Sequence, residues 1–304
     1  MSVLSLLRAR RARGGRPPYD DGARIALVVE GGAMRGVISA GMVWALEDLG
    51  YVDAFDAVYG SSAGAINAAY FLAGQAGLGT TIYYEDINNT SFIRMSRAAV
   101  RRPIVNLGYL LDDVAIRRKP LRVDRVLTSP SPLSVLATDV DRQSPHVFSA
   151  FRSAAPLFAA LRAGATMPVV AGGPFAHDGG RYLDASLSEP IPVPTAEASG
   201  HTHALALLTR SGAMRPRPSA FDRYFVAPRL RRLSPALADR YLTRAEPYSR
   251  LIRAIDAGTG PLGTMAVTGL RVDGLRVSKL ECRRDVLRDA ARRAYDVVVA
   301  ALGS

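Results

Sequence analysis

The chain has 304 residues, of which 48% are hydrophobic and 22% are charged, and its formal net charge is +12. This composition is typical of a globular protein and excludes a wholly disordered or collagen-like chain. The single cysteine, Cys282, excludes an intrachain disulfide and a zinc site built on cysteines. Nearly all of the 39 basic residues are arginine, which fits either attraction to an anionic surface or the bias of a GC-rich genome.

The first 22 residues are rich in arginine, glycine and proline, and they show no sustained hydrophobic period. We therefore expect residues 1–22 to form a basic, flexible tail. The apolar stretch at the N-terminus precedes the arginines, which reverses the order found in a secretory signal. No apolar run in the chain approaches the ~20 residues of a membrane span. These features predict a cytoplasmic protein, with peripheral contact to an anionic membrane as a further expectation.

Strand-like and helix-like segments alternate from residue 24 onward, which predicts a single α/β domain over residues 23–304 with a largely parallel sheet. Strands are predicted at residues 25–30, 55–59, 133–140, 204–209 and 265–272, with a hairpin ending at residues 181–184. Helices are predicted at residues 37–49, 65–72, 150–167 and 278–302. Residues 80–128 are less regular and combine an arginine cluster with an apolar stretch, so they are our candidate for a lid or a substrate-facing insertion.

A G-x-S-x-G pattern, Gly60-Ser61-Ser62-Ala63-Gly64, lies between a predicted strand and a predicted helix. This is the context of a nucleophile elbow, where small neighbours allow a serine to occupy a strained turn at the start of a helix. The pattern makes Ser62 a candidate nucleophile, with Gly60 and Gly64 as the elbow glycines. The same residues could instead form a small-residue turn that only permits close packing.

A second glycine-rich turn, Glu30-Gly31-Gly32-Ala33-Met34-Arg35-Gly36, also joins a predicted strand to a predicted helix. Its backbone N–H groups could bind a nucleotide phosphate or the oxyanion of an acyl-transfer intermediate. The turn lacks the Lys-Ser/Thr ending of a P-loop, and Ala33 replaces the second glycine of a dinucleotide motif. With a candidate nucleophile in the same sheet, the pattern favours the oxyanion.

The residues themselves offer two candidates for the general base. A triad in the order Ser62, Asp184, then His201 or His203 is allowed by the sequence, although both histidines precede a predicted core strand. Alternatively, Asp184 could accept the serine proton directly, because it ends a predicted strand among small residues and prolines.

Three segments, E-G-G-A-M-R-G, G-S-S-A-G and L-D-A-S-x-S-E-P-I-P-V, together resemble the patatin-like phospholipases. Leu208-Thr209-Arg210 and Val277-Ser278-Lys279-Leu280 resemble a bacterial subgroup of predicted serine esterases in that family. The resemblance extends over roughly residues 24–300. It implies a three-layer α/β/α domain with a C-terminal helix, and a Ser-Asp dyad without a catalytic histidine. It implies neither a metal nor an organic cofactor.

The resemblance assigns the nucleophile to Ser62 and the base to Asp184. It places the oxyanion and substrate-binding loop at Gly31, Gly32, Ala33, Arg35 and Gly36. The family usually has glycine where Ala33 and Ala185 stand. A backbone donor survives at Ala33 provided that this residue does not need a positive φ. Asp178-Gly179-Gly180 matches the short D-G-G motif of the family, but the context of Asp184 matches better.

The expected function is hydrolysis of a phospholipid or another acyl ester through an acyl-enzyme intermediate. The alternative is a catalytically weak lipid-binding or regulatory module of the same fold, which the two alanines motivate. Nucleic-acid binding through the arginines has no supporting motif and is not expected. The sequence leaves the oligomeric state open.

Overall fold

The structure is a computed structural model that describes residues 1–100, 102–212 and 218–303. The α-helices are α1 Val3–Arg13, α2 Val37–Asp48, α3 Ala63–Leu72, α4 Ala76–Glu85, α5 Val123–Leu127, α6 Ala154–Ala165, α7 Val193–Ala198, α8 Ala227–Leu233, α9 Pro235–Thr243, α10 Ala245–Asp256 and α11 Arg284–Leu302. Short 3-10 helices cover Ala33–Gly36, Val52–Ala54, Met95–Val100 and Ala185–Leu187, and π-helices cover Tyr109–Arg118 and Asp222–Val226.

Within these ranges one eight-stranded sheet forms the centre of the molecule. Its strands are β1 Ile25–Val29, β2 Ala57–Ser61, β3 Leu133–Asp139, β4 Ser144–Phe148, β5 Phe175–His177, β6 Gly180–Asp184, β7 His203–Leu207 and β8 Ala266–Leu270. The order is β5-β6-β3-β2-β1-β7-β8, and β4 also pairs with β3. Strands β8, β7, β1, β2 and β3 run parallel, whereas β4 and β6 are antiparallel to β3. Strand β5 pairs antiparallel with β6 and so runs in the same direction as β3.

Helices cover both faces of the sheet, because successive side chains of a strand point to opposite faces. In β1, Ile25, Leu27 and Val29 belong to the apolar core that includes residues of α2, α3 and α11. Ala26 and Val28 belong to a second core on the other face, with residues of α7 and α10. The predicted α/β class, the mostly parallel sheet and the flanking helix layers are therefore confirmed.

The predicted strands all exist, with boundaries that shift by up to two residues. The hairpin before residue 184 is β5 and β6. The C-terminal helix begins at Arg284, six residues later than predicted, because the segment before it packs against the glycine-rich loop: Met34 N–H donates to Lys279 O at 3.2 Å. None of the described helices is long and apolar enough to cross a bilayer.

The prediction of a flexible tail over residues 1–22 is wrong, because Val3–Arg13 forms α1 on the surface of the domain. Val3, Leu6 and Leu7 are buried there at helical spacing. Arg10 occupies the next position on this face and is only 1% exposed. Its guanidinium pairs with Asp21 at 2.7 Å and with Asp56 at 2.8 Å, which makes burial of the charge possible.

Candidate active site

Ser62 lies in the turn between β2 and α3, at φ 53° and ψ −131°. This positive φ is rare for a residue with a side chain, and the elbow tolerates it because its glycines allow very close packing. A Cβ added at Gly60 would overlap the backbone of Ala65, and one at Gly64 would overlap the carbonyl of Val29. The strand–turn–helix geometry thus holds the Ser62 hydroxyl at the carboxyl edge of the sheet.

Asp184 meets Ser62 because two strands share one side of β3. Residues 135 and 136 of β3 pair with β2 on one side and with β4 on the other. Residues 137–139 pair with β4 and with β6, so β6 must lie on the side where β2 ends. Ser61 is opposite Leu136, and Asp184 is opposite the next residue, Ala137. The end of β6 therefore abuts the residue that follows β2, which is Ser62.

The Ser62 hydroxyl donates to Asp184 Oδ2 at 2.6 Å. Asp184 is 2% exposed, and its other carboxylate oxygen accepts the N–H of Ser186 at 2.8 Å. The backbone of Asp184 is fixed as well, because its N–H donates to Thr166 O and its carbonyl accepts from Thr138 Oγ1, both at 2.9 Å. This carboxylate is held in one orientation and can accept a proton from Ser62.

The glycine-rich loop lies directly against the Ser62 turn. A Cβ at Gly31 would overlap the carbonyl of Ser61, so only glycine fits there. The N–H of Gly31 points to Ser61 Oγ at 3.4 Å. The N–H groups of Gly32 and Ala33 donate to no residue that the structure describes. These two donors are available to a negatively charged oxygen beside Ser62.

Ala33 adopts a positive φ of 53°. An alanine at this position therefore carries a steric cost that a glycine would not. The loop nevertheless keeps its shape through contacts at its other end. Gly36 O accepts from Asn67 Nδ2 at 2.9 Å, and Tyr83 OH in turn donates to Asn67 Oδ1 at 3.0 Å. These contacts from α3 and α4 fix the position of the loop relative to Ser62.

Buried charges lie behind the loop. Arg35 is 6% exposed, and burial, followed by repulsion from Arg210, lowers the pKa of Arg35 to about 10. Its Nε donates to Thr209 Oγ1 at 3.4 Å, and this hydroxyl donates to Gly31 O at 2.7 Å. The Glu30 carboxylate accepts from Thr209 N–H at 2.7 Å and from Tyr248 OH at 3.1 Å. Arg35 thus contacts the loop through Thr209.

Lys279 faces the same region from the segment before α11. Desolvation by the surrounding protein, followed by repulsion from Arg210 and Arg35, lowers the pKa of Lys279 to about 8. Its side chain is accessible from the cavity beside Ser62, so water screens part of this effect. No site role was predicted for Glu30, Arg210 or Lys279, although all three stand in segments that carry the family resemblance.

A cavity of about 460 Å³ contains both Ser62 and Asp184, and this volume suits a ligand of small-molecule size. One part of its wall is apolar and comes largely from the segment predicted as a substrate-facing insertion. This part includes Ile82, Ile87, Phe92, Val105, Leu107 and Leu110. The wall also carries the cations Arg35, Arg210, Arg244 and Lys279. The segment therefore lines the cavity, and its movement as a lid stays a prediction.

The other candidates for the base lie elsewhere. None of the four histidines, all within the described ranges, lines the cavity. His203 begins β7 and pairs with the first residue of β1, at the opposite edge of the sheet from Ser62. Asp178 sits in the β5–β6 turn with its side chain 85% exposed. Geometry therefore leaves Asp184 as the partner of Ser62.

Comparison with known families agrees with this site. Residues 27–197, more than half of the chain and including both Ser62 and Asp184, match the family described as patatin-like phospholipase. The chain belongs to this family.

Two known proteins illustrate the relationship. The uncharacterized protein YjjU of Escherichia coli (strain K12) is 27% identical over 209 residues, which cover 68% of this chain and 57% of YjjU. The chain thus matches a little over half the length of that relative. Among solved structures, VipD from Legionella pneumophila is similar over 92% of this chain and 67% of its own, at a TM-score of 0.43 and 12% identity.

Proposed function

We propose that the protein is a serine acyl hydrolase acting on phospholipids or other lipid esters through a Ser62–Asp184 dyad. The observation that carries this proposal is the 2.6 Å hydrogen bond from Ser62 Oγ to Asp184 Oδ2 inside a largely apolar cavity. The family supports lipid hydrolysis in general, and the dyad and the substrate class are the finer steps proposed here.

In the first half-reaction, Ser62 Oγ attacks the acyl carbonyl carbon while Asp184 Oδ2 accepts the hydroxyl proton. The carbonyl oxygen becomes an oxyanion, which the N–H groups of Gly32 and Ala33 stabilise. The intermediate then collapses: the bond to the leaving alkoxide breaks, and Asp184 returns its proton to that oxygen. The alcohol departs and the acyl group stays as an ester on Ser62.

In the second half-reaction, water attacks the acyl-enzyme and gives its proton to Asp184. A second oxyanion forms at the same N–H groups. When it collapses, the Ser62 oxygen leaves and takes the proton from Asp184, which restores the dyad and releases the carboxylic acid. The carboxylate is a weak base, and the low polarity of the cavity strengthens its interaction with the hydroxyl.

The test is hydrolysis of p-nitrophenyl esters of short and long acyl chains by the purified protein, Ser62→Ala and Asp184→Asn. We expect Ser62→Ala to lower kcat by about 10⁴-fold or more, and Asp184→Asn by about 10²–10⁴-fold. Asp178→Asn is the matched control, because this carboxylate is exposed in the hairpin turn and should leave kcat unchanged. Turnover that survives Ser62→Ala would reject the dyad, whereas the absence of turnover by the wild type on every chain length would favour a lipid-binding or regulatory module.

A further inference from the structure

A second cavity, of about 520 Å³, adjoins the one that contains Ser62. The two share a wall formed by Ser186, Pro190, Arg210, Tyr241, Arg244 and Lys279. Because the N–H of Ser186 donates to Asp184 Oδ1, this wall reaches the proposed dyad directly. A substrate with its ester carbonyl at Ser62 could therefore place one end in each cavity.

The second cavity is strongly cationic. Arg210, Arg240, Arg244, Arg250 and Lys279 line it, whereas Glu189 is the one carboxylate among the described lining residues. Glu189 is already engaged, because its oxygens accept from the N–H and the hydroxyl of Thr195, both at 2.8 Å. Its carboxylate is therefore not directed at a ligand in the cavity.

Three of these cations lack an anionic partner within the described part of the chain. Arg244 pairs with Asp222 at 2.7 Å and Arg250 with Glu246 at 3.8 Å, but Arg210, Arg240 and Lys279 make no ion pair there. Arg240 instead donates to the carbonyl of Gln143 at 2.7 Å. The Arg210 guanidinium lies over the Tyr248 ring at 4.3 Å, and its Nη1 is buried without an acceptor among the described residues. Neighbouring like charges repel one another, and an anion placed between them relieves that repulsion.

The chemistry of the two cavities is complementary to an amphiphile. An acyl chain fits the apolar wall of the first cavity, so the alcohol side of a scissile ester would face Arg210 and Lys279. Arginine and lysine together are typical ligands of phosphate oxygens. A headgroup that carries a further positive charge would be repelled by the arginines of the second cavity.

We propose that Arg210 and Lys279 form an anion subsite that binds the phosphate of the substrate. We infer that the second cavity takes its headgroup and selects anionic over zwitterionic glycerophospholipids. This proposal rests on the proposed function, since it assumes that the ester is cleaved at Ser62.

The test compares kcat/KM for fatty-acid release from three lipids with one acyl chain: lysophosphatidylglycerol, lysophosphatidylcholine and monoacylglycerol. We expect the anionic lipid to be the best substrate. Arg210→Gln and Lys279→Gln should each lower the ratio of lysophosphatidylglycerol to monoacylglycerol kcat/KM by about 10-fold to 100-fold, as expected for a lost charge-assisted hydrogen bond. Lys279→Arg keeps the charge and should retain most of that ratio.

Arg276→Gln is the control, because Arg276 is exposed in the same segment as Lys279 and lines neither cavity. The ratio should be unchanged in this variant. The proposal is overturned if Arg210→Gln and Lys279→Gln keep the wild-type ratio. It is also overturned if wild-type kcat/KM for lysophosphatidylcholine equals that for lysophosphatidylglycerol.

Binding separates this proposal from the failure of catalysis. Calorimetry with Ser62→Ala protein measures lysophosphatidylglycerol affinity without turnover, and adding Arg210→Gln should weaken it about 10-fold or more. Loss of binding in that double variant supports the subsite even if the wild type cleaves no ester. Inorganic phosphate that binds as tightly as the lysolipid would identify free phosphate as the ligand and would reject the headgroup assignment.

Discussion

Ala33 is the residue at which the loop departs most from a relaxed backbone. At φ 53° an alanine carries a steric cost of roughly 1–2 kcal/mol. The residue persists because contacts on both sides fix the loop, including those of Gly31 with the Ser62 turn. Ala185, the other position where the family usually has glycine, is fully buried in the 3-10 helix after Asp184 and has no positive φ.

Glycine should therefore act differently at these two positions. We expect Ala33→Gly to leave stability unchanged or to raise it by up to about 1 kcal/mol, because relief of strain offsets the larger unfolded-state entropy. Ala185→Gly, the matched control, should lower the free energy of unfolding by about 1 kcal/mol, since no strain is relieved. Urea denaturation measures both. A lower denaturation midpoint for Ala33→Gly than for Ala185→Gly would contradict the argument from φ.

At the scale of elements, α1 shows how a buried ion pair can anchor a helix that is otherwise rich in exposed arginine. Arg10 contacts two carboxylates and also donates to the carbonyls of Ala23 at 2.8 Å and Ala54 at 2.9 Å. These bonds tie the helix to the chain on either side of β1. Removing the guanidinium would leave two partly buried carboxylates without a counter-charge and two carbonyls without this donor.

We expect Arg10→Met to lower the free energy of unfolding by about 3–5 kcal/mol at neutral pH. Arg13→Met, an exposed position on the same helix, should change it little. The hydrogen bond from Arg10 lowers the pKa of Asp21 from 3.8 to about 2. A carboxylate with a depressed pKa stabilises the fold above its unfolded value, and this contribution is lost as the pH falls through the folded value.

The stability difference between wild type and Arg10→Met should consequently shrink between about pH 4 and pH 2. Denaturant unfolding across this range measures the change. A difference that stays constant down to pH 2 would show that Arg10 acts through packing alone.

The sequence was sufficient to predict the elements that carry local signals, and insufficient for those that depend on partners far along the chain. The elbow around Ser62 and strand β1 depend on local signals, and both were predicted. Helix α1 was missed because a buried arginine occupies a core position, and its pairing with Asp21 and Asp56 is not visible in a periodicity.

The same distinction applies to the site. The family resemblance favoured Asp184 over Asp178, but composition and spacing did not show why. The reason is that β6 pairs antiparallel with the last residues of β3, on the same side of β3 as β2 and just beyond the point where β2 ends. The cations Arg210 and Lys279 are 69 residues apart in the sequence, so only the folded chain brings them to the same cavity wall.

At the scale of the whole molecule, the proposed dyad lies where an apolar cavity and a cationic cavity meet. The apolar wall is built from α4 and the residues that follow it, up to the π-helix at Tyr109–Arg118. Ile82 and Leu110 come from its two ends. If the acyl chain occupies this cavity, its depth sets the longest chain that binds without distortion.

Val105 lies in that wall and is 7% exposed, so a larger side chain there would reduce the space for the acyl chain. We expect Val105→Phe to lower kcat/KM for long-chain p-nitrophenyl esters by about 10-fold to 50-fold. This corresponds to excluding two or three methylene groups at about 0.8 kcal/mol each. Short-chain esters do not reach the wall, so the chain-length optimum should move to shorter chains.

Val147→Phe, on the exposed face of β4, is the control and should leave the profile unchanged. An equal loss for short and long chains in Val105→Phe would show that the acyl chain binds elsewhere.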